Sequence, residues 1–226
     1  MRKLIIALAI VVAVVLAADF GTRAYAQAQI ADQLRSAGFP VRPSVSIGGF
    51  PFLTQVAARD LHQITISATD VPAGPVSITR IDAVLINVRP NASFTGATVG
   101  RLRGQAFISF AALSQALVSQ AGGLGGALTG GGGLALAPVG TDEIRASLNL
   151  IVATASATWR VSLDGDRSLR ASLVSSSGLP ASLLGPAANI AIPLTTLPLG
   201  LRLSGVTVGP TGITGRLDGS NLTFGH

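Results

Sequence analysis

The sequence predicts an α+β fold dominated by antiparallel β-strands, with a helix near its N-terminus. From Val41 onward, apolar and polar residues alternate with a period of two through most of the chain, as in strands that bury one face. Short connections rich in glycine, proline and aspartate join these segments, and such connections favour antiparallel pairing. Before them, Ala26, Ile30, Leu34 and Ala37 recur at helical spacing.

The N-terminal segment has the layout of a secretory signal. Arg2 and Lys3 precede 15 consecutive apolar residues, Leu4–Ala18. The sequence Ala24-Tyr25-Ala26 then offers a small-x-small cleavage site. This layout predicts that the rest of the protein lies outside the cytoplasm.

The alternative is an uncleaved membrane anchor. A membrane-spanning helix needs about 20 apolar residues, and Met1–Phe20 nearly reaches that length. A helix that continues unbroken from the apolar run would favour the anchor. We therefore predict residues 1–26 to be a signal peptide or a membrane anchor, and residues 27–226 to form the folded domain.

About ten strands are predicted after Gly38. The alternating segments begin near Val41, Leu61, Val76, Leu102, Ile144, Trp159, Leu169, Leu201 and Ile213. In the third segment the phase of alternation shifts at Arg80–Ile81, which indicates a bulge or a break between two strands. The side chains of Val84, Ile86 and Val88 make that segment apolar on both faces, so both faces need cover.

Several of the predicted strands are joined by turns with a clear sequence signal. Asp164-Gly165-Asp166 predicts a hairpin between the strands on either side of it. Gly209-Pro210-Thr211-Gly212 predicts another, and Asp218-Gly219 predicts a turn into a last strand containing Leu222 and Phe224.

Two short helices and two unusual segments complete the expected organisation. Phe52–Arg59 is long enough for two helical turns, and Ser109 is placed to cap a helix that contains Phe110, Leu113 and Leu117. The glycine-rich stretch Gly122–Gly133 is predicted to be a flexible surface loop. Residues 178–201 carry no charge but contain four prolines, which favours a short helix and proline-broken strands over a second membrane span.

Composition excludes several classes of protein. With 48% apolar and 12% charged residues and a mean hydropathy of +0.57, the chain is too apolar to be intrinsically disordered. The lack of cysteine excludes a disulfide scaffold and a thiol nucleophile. The formal net charge is +6, but the arginines are scattered and only 4% of residues are aromatic, so no nucleic-acid partner is expected.

Catalytic and metal-binding patterns are also missing from the sequence. His62 and His226 have no partner nearby in sequence. The adjacent acids Asp142 and Glu143 suit a solvated turn. Asp164 and Asp166 alone offer too few oxygens for calcium. We therefore predict no catalytic residue, no metal and no cofactor.

Two segments resemble a known family. Ile47-Gly48-Gly49-Phe50-Pro51-Phe52-Leu53-Thr54-Gln55, followed by a strand and Val71-Pro72, is similar to the N-terminal signature of the actinobacterial LmeA-like phospholipid-binding family. The C-terminal run Leu197-Pro198-Leu199-Gly200-Leu201-Arg202-Leu203, with the strands after it, resembles that family's closing pattern. The glycine tract at 122–133 departs from the pattern.

The resemblance implies a fold and a role. The fold would be an elongated, curved antiparallel sheet with an N-terminal helix, similar to tubular lipid-binding folds. Residues 27–226 would then be an exported, non-catalytic lipid-binding domain of the cell envelope. It would hold acyl chains in an apolar cavity, work at a membrane surface, bind phospholipids including phosphatidylinositol-type lipids, and support envelope glycolipid maturation.

The candidate lipid-binding residues fall into three groups. The apolar stretch that contains Phe50, Phe52 and Leu53 is the candidate mouth or membrane-docking tip. Val84, Ile86 and Val88 are candidates for contact with acyl chains, and Arg101 and Arg103 for contact with the headgroup. In the alternative interpretation the two phenylalanines fill the core and the arginines belong to a solvated strand face.

Two other functions remain open at this point. A structural or adhesive envelope module would have a solid core and would purify without lipid. A lipid-modifying enzyme would bring a histidine or aspartate pair together in a cleft and would turn over labelled phosphatidylinositol.

Overall fold

The computed structural model describes residues 2–36, 39–73, 76–120, 134–150, 153–165, 168–178, 189–193 and 202–224. The helices in these ranges are α1 (Arg2–Ser36), α2 (Phe52–Ala58) and α3 (Phe110–Gln120). The strands are β1 (Ser44–Gly48), β2 (Leu61–Ala73), β3 (Val76–Pro90), β4 (Ala97–Ser109), β5 (Leu134–Val139), β6 (Glu143–Leu150), β7 (Ala153–Leu163), β8 (Ser168–Ser177), β9 (Asn189–Pro193), β10 (Arg202–Gly209) and β11 (Gly212–Phe224). The predicted β-dominated α+β class and the N-terminal helix are confirmed.

The strands form two antiparallel sheets. A six-stranded sheet has the order β1-β2-β3-β4-β11-β10, so the last two strands of the chain pair beside β4. A five-stranded sheet has the order β5-β6-β7-β8-β9, in which each strand pairs with the next along the chain. Local alternation predicts the strands themselves, whereas the division into two sheets depends on pairing between distant segments.

The chain groups into two compact units. The first comprises Met1–Ser67, Ala83–Leu102 and Ser220–His226. The second comprises Ala68–Asp82 and Arg103–Gly219, and it contains the whole five-stranded sheet.

Three long strands each contain a non-glycine residue with left-handed backbone. These residues are Asp70 in β2, Asn87 in β3 and Asn221 in β11, with φ of 54°, 55° and 52°. Aspartate and asparagine tolerate this conformation better than other residues with side chains. Such a residue interrupts the strict alternation of a strand, so the buried series in β3 changes from Leu85 to Val88 across Asn87.

The predicted phase shift at Arg80–Ile81 is confirmed, and β3 stays one continuous strand across it. Val76 and Ile78 are buried before the shift, and the buried series resumes at Ile81. The segment is therefore a single strand with an irregularity, not two strands.

Most predicted turns and helices agree with the structure, and one turn is wrong. The hairpins β7–β8 and β10–β11 pair as expected. The predicted turn at Asp218-Gly219 is wrong, because β11 runs unbroken from Gly212 to Phe224. The change of phase in this strand comes at Asn221. The predicted loop at Gly122–Gly133 lies outside the described residues, as do residues 179–188 and 194–201 of the uncharged segment.

The junction between β4 and α3 is fixed by hydrogen bonds within the second unit. Ser109 caps α3 as predicted, since its Oγ accepts the Ala112 N–H at 3.2 Å. Thr79 Oγ1 accepts the Ser109 N–H at 3.0 Å. The Phe110 N–H donates to the Thr211 carbonyl at 3.0 Å, which holds the β10–β11 turn against this junction.

One further main-chain contact lies at the end of the five-stranded sheet. The Val208 N–H on β10 donates to the carbonyl of Thr141, in the turn between β5 and β6, at 2.7 Å.

Candidate functional site

The Phe50–Leu53 turn connects β1 to α2. Its Phe50-Pro51 peptide is cis. Phe52 begins α2 and is buried, whereas Phe50 is 60% exposed and Leu53 is 38% exposed. The structure therefore places the three candidate residues of this turn together, with Phe52 directed into the core and the other two open to solvent.

Asp19 of α1 caps helix α2 from outside that helix. The N-cap residue of α2 is Pro51, which makes no side-chain capping bond. The Asp19 carboxylate accepts the Phe52 N–H at 3.0 Å and the Leu53 N–H at 2.8 Å. Asp19 is only 2% exposed. Its carboxylate thus satisfies two of the main-chain donors that every helix leaves unpaired at its start.

An aromatic contact beside Asp19 reinforces this attachment. The rings of Phe20 and Phe50 stack with centroids 6.4 Å apart and an interplanar angle of 27°. Both rings remain largely exposed. We call Phe20, Phe50 and Leu53 the apolar patch, because each is an exposed apolar residue that follows Asp19, stacks on Phe20 or donates its N–H to Asp19.

The rest of the glycine-rich motif has a local structural role. Buried Gln55 accepts the His62 N–H at 3.1 Å and donates to the Pro51 carbonyl at 3.4 Å, so it ties α2 to β2 and to the turn. Gly49 has φ of 89°, and a Cβ there would lie 2.6 Å from Gln55 Nε2. A side chain at position 49 would therefore strain the backbone and displace the Gln55 amide.

The candidate residues on β3 and β4 lie outside this turn. Val84 and Ile86 are half-buried on the same face of β3, whereas Val88 is buried beyond the interruption at Asn87. Arg101 and Arg103 are both exposed and stand two residues apart on β4. Their roles in lipid contact stay predictions.

The five-stranded sheet has an apolar face whose residues are not among the candidate site residues predicted from the sequence. Cross-strand partners share a face of a sheet. One row across the sheet joins Pro138, Ile144, Trp159 and Leu173. The neighbouring rows contain Leu136, Ala146 and Ala157; Val161, Ala171 and Ile190; and Leu163 and Leu169.

The opposite face of this sheet is polar. It carries Glu143, Arg160, Ser172 and Asn189 in one row of partners. Arg160 binds Glu143 Oε1 at 2.7 Å, with Asp142 Oδ2 at 3.4 Å from its Nε. The sheet is therefore amphipathic, and the two adjacent acids are engaged in ion pairs on its polar face.

The apolar face combines small residues with side chains that are only partly covered. Ala155, Ala157 and Ala171 lie at its centre; the first two are buried, whereas Ala171 is half-buried. Trp159, Leu163, Ala171, Leu173 and Ile190 are half-buried. Alternation of alanine with leucine or isoleucine in β6 (Ile144, Ala146, Leu148) and β8 (Leu169, Ala171, Leu173) is the sequence signal for this face, and cross-strand register is needed to assemble it.

Most of the chain matches a known protein family. A family model described as LmeA-like phospholipid-binding matches residues 17–218. The chain belongs to this family. No curated protein and no solved structure matches the chain significantly. The resemblance predicted from the Phe-Pro-Phe-Leu motif is therefore confirmed.

The LmeA-like match covers every candidate residue and part of the N-terminal helix. It begins two residues before Asp19, so it includes the carboxylate that caps α2 as well as Phe20. Among the described residues, the Ala9–Ser36 part of α1 is long and apolar enough to cross a membrane, by length and composition. Across all the residues that the structure describes, no group of three or more histidine, aspartate or glutamate side chains could hold a metal ion.

Proposed function

We propose that this LmeA-like protein is exported to the cell envelope and holds phospholipid acyl chains in an apolar cavity over the five-stranded sheet. The observation that carries this proposal is the apolar face of that sheet, where cross-strand register aligns small and half-buried apolar side chains from all five strands. Membership of a phospholipid-binding family supports the same ligand class.

The energetics of acyl chains suit such a carrier. Each buried methylene gains about 0.8 kcal/mol relative to water, so two chains of roughly 16 carbons gain about 25 kcal/mol. Relative to a bilayer the net gain is near zero, because the chains are already buried there. The protein can therefore load and unload lipid at a membrane without an energy source.

The headgroup is the polar end of the proposed ligand. Arg101 and Arg103 stay our candidates for contact with a lipid phosphate, since a guanidinium group can make two parallel hydrogen bonds to phosphate and both arginines are exposed. In keeping with the family resemblance, we propose phosphatidylinositol-type lipids among the ligands and support of envelope glycolipid maturation as the role.

The proposed function is lipid binding without catalysis. Asp142 and Glu143, the closest acids in the sequence, are both engaged by Arg160. We therefore expect no turnover of labelled phosphatidylinositol, and turnover would favour a lipid-modifying enzyme instead.

The proposal predicts that filling the apolar face removes bound lipid. Ala171 lies between Val161 and Ile190 on that face, so Ala171→Trp places a large ring where an acyl chain would lie. Ser172→Trp is the matched control, because it adds the same ring to the polar face of the same strand. Native mass spectrometry of the purified proteins should show phospholipid with wild type and the control, and little with Ala171→Trp.

Two further measurements test whether the variants fold and whether the competing function applies. Thermal unfolding of both variants checks that the tryptophan leaves the fold intact. A wild-type protein that purifies free of lipid, and takes up none from vesicles, would contradict the proposal and favour a structural or adhesive module with a solid core.

A further inference from the structure

Helix α1 has two parts with opposite surroundings. From Ile10 to Leu16 the large apolar side chains are between 38% and 62% exposed, and they point in all directions around the helix. A helix that is apolar on every side is either buried in protein or placed in a membrane. These side chains are therefore not buried against any of the described residues.

The second part of α1 is built into the folded unit. Ala31 and Leu34 are buried. Gln27, with its amide oxygen turned toward β1, accepts the Ile47 N–H at 3.0 Å. Arg42 binds Asp32 with its Nε 2.9 Å from Oδ1. This half of the helix is held by main-chain contacts, an ion pair and core packing.

The change from one part to the other comes at Asp19. The buried Asp19 carboxylate holds the first two N–H groups of α2, and Phe20 stacks on Phe50. Both residues precede Ala26, where the sequence offers a cleavage site. The helix runs without a break through that site, and the family match already begins at residue 17.

We propose that α1 is not cleaved after Ala26 but stays in the mature protein as a membrane anchor, with the apolar patch resting on the bilayer surface. Cleavage after Ala26 would remove Asp19 and Phe20, and the N–H groups of Phe52 and Leu53 would lose their acceptor. The folded unit therefore needs the residues that a signal peptidase would take away.

The dimensions of α1 fit this arrangement. An α-helix rises about 1.5 Å per residue, and a hydrocarbon core is about 30 Å thick. The residues up to Phe20 then cross the core. This places the apolar patch at its outer boundary, where Phe50 and Leu53 meet the lipid. Asp19 avoids exposure to hydrocarbon because α2 covers it.

The first test is the N-terminus of the mature protein. The full chain, with a C-terminal affinity tag, is expressed in a bacterial host, extracted from the membrane fraction and measured by intact mass spectrometry. We expect the mass of the chain without loss of residues 1–26, and no change when Ala26→Leu removes the small residue of the cleavage site. A mature species that begins at Gln27 would overturn the proposal.

The second test locates the apolar patch. The chain contains no cysteine, so single labelling sites are available. Leu53→Cys carries an environment-sensitive fluorophore at the patch. The control is Ser36→Cys, an exposed position at the end of α1, about 25 Å along that helix from Asp19. Both full-length variants are reconstituted in phosphatidylcholine vesicles that contain a lipid-borne quencher.

We expect a blue-shifted emission and strong quenching at position 53, and neither at position 36. Equal, water-like emission at both positions would overturn the placement of the patch. These results do not depend on whether the protein contains bound phospholipid. If the anchor inference fails, the N-terminus or the quenching will differ from the expected result. If the proposed function fails, the amount of bound phospholipid will differ instead.

Discussion

Asp19 is a fully buried acid at the end of an apolar run, and acids are rarely buried without partners. The sequence indicates only that a charge ends this run. Its function as a cap depends on residues 33 and 34 positions later, whose N–H groups reach its two oxygens. No local pattern encodes such a contact, which explains why Asp19 and Phe20 could not be selected as site residues from the sequence.

Removing this carboxylate should destabilise the first unit. Asp19→Ala leaves two main-chain donors without an acceptor, and we expect a loss of about 1–3 kcal/mol in the free energy of unfolding. Asp32→Ala is the control on the same helix, because its exposed pair with Arg42 is worth at most about 1 kcal/mol. Denaturant unfolding of the full-length protein in detergent measures both.

Hydrogen exchange adds a local readout for the same pair. Asp19→Ala should lower the protection of the Phe52 and Leu53 amides, and Asp32→Ala should leave it unchanged. Equal protection in the two variants would show that the Asp19 carboxylate does not hold α2.

At the scale of elements, strands were predicted best where alternation is regular. The phase shift in β3 was visible in the sequence, because apolar residues change from even to odd positions at Arg80–Ile81. The turn predicted at Asp218-Gly219 is wrong: Asp-Gly is a strong turn signal, yet both residues lie within β11. There the backbone irregularity is Asn221, with φ of 52°.

The β10–β11 hairpin contains two paired glycines with different surroundings. A Cβ on Gly212 would overlap the Ile108 carbonyl and the Phe107 ring, whereas a Cβ on Gly209 would meet only ordinary contact at 3.6 Å. We expect Gly212→Ala to lower the free energy of unfolding by about 1–3 kcal/mol. Gly209→Ala should change it by about 0.5 kcal/mol or less.

Thermal unfolding of both glycine variants tests this difference. A similar melting temperature for the two would mean that the hairpin does not pack closely against the end of β4. The expected difference follows from main-chain approach, which no turn signal in the sequence reports.

At the scale of the whole molecule, the composition shows a chain rich in apolar side chains, with 48% apolar and 12% charged residues, and so with a large apolar surface. Only the fold shows where in the molecule this apolar surface lies. The five-stranded sheet shows its apolar face only when the register between strands is known, and β4 finds its partner β11 at the other end of the chain. Resemblance to the LmeA-like family identified the Phe50–Leu53 turn, but not the sheet that we propose to hold the acyl chains.

A lipid that binds only the folded protein must stabilise the whole molecule. At a free lipid concentration of 100 times the dissociation constant, the gain is about 2.7 kcal/mol, or about 5–10 °C in melting temperature for a chain of this size. Stripping lipid from the wild-type protein should therefore lower its melting temperature, and adding phosphatidylinositol should restore it. The Ala171→Trp variant should not respond, and an identical response in both proteins would contradict binding at this face.

The contacts made by Gln27 and Thr141 have one more consequence. In the six-stranded sheet β1 and β10 are the outermost strands, and an outermost strand can recruit another chain through its free main-chain groups. Gln27 takes the Ile47 N–H on one side, and the Thr141 carbonyl takes the Val208 N–H on the other. These two donors are therefore not available to pair with the edge strand of another chain.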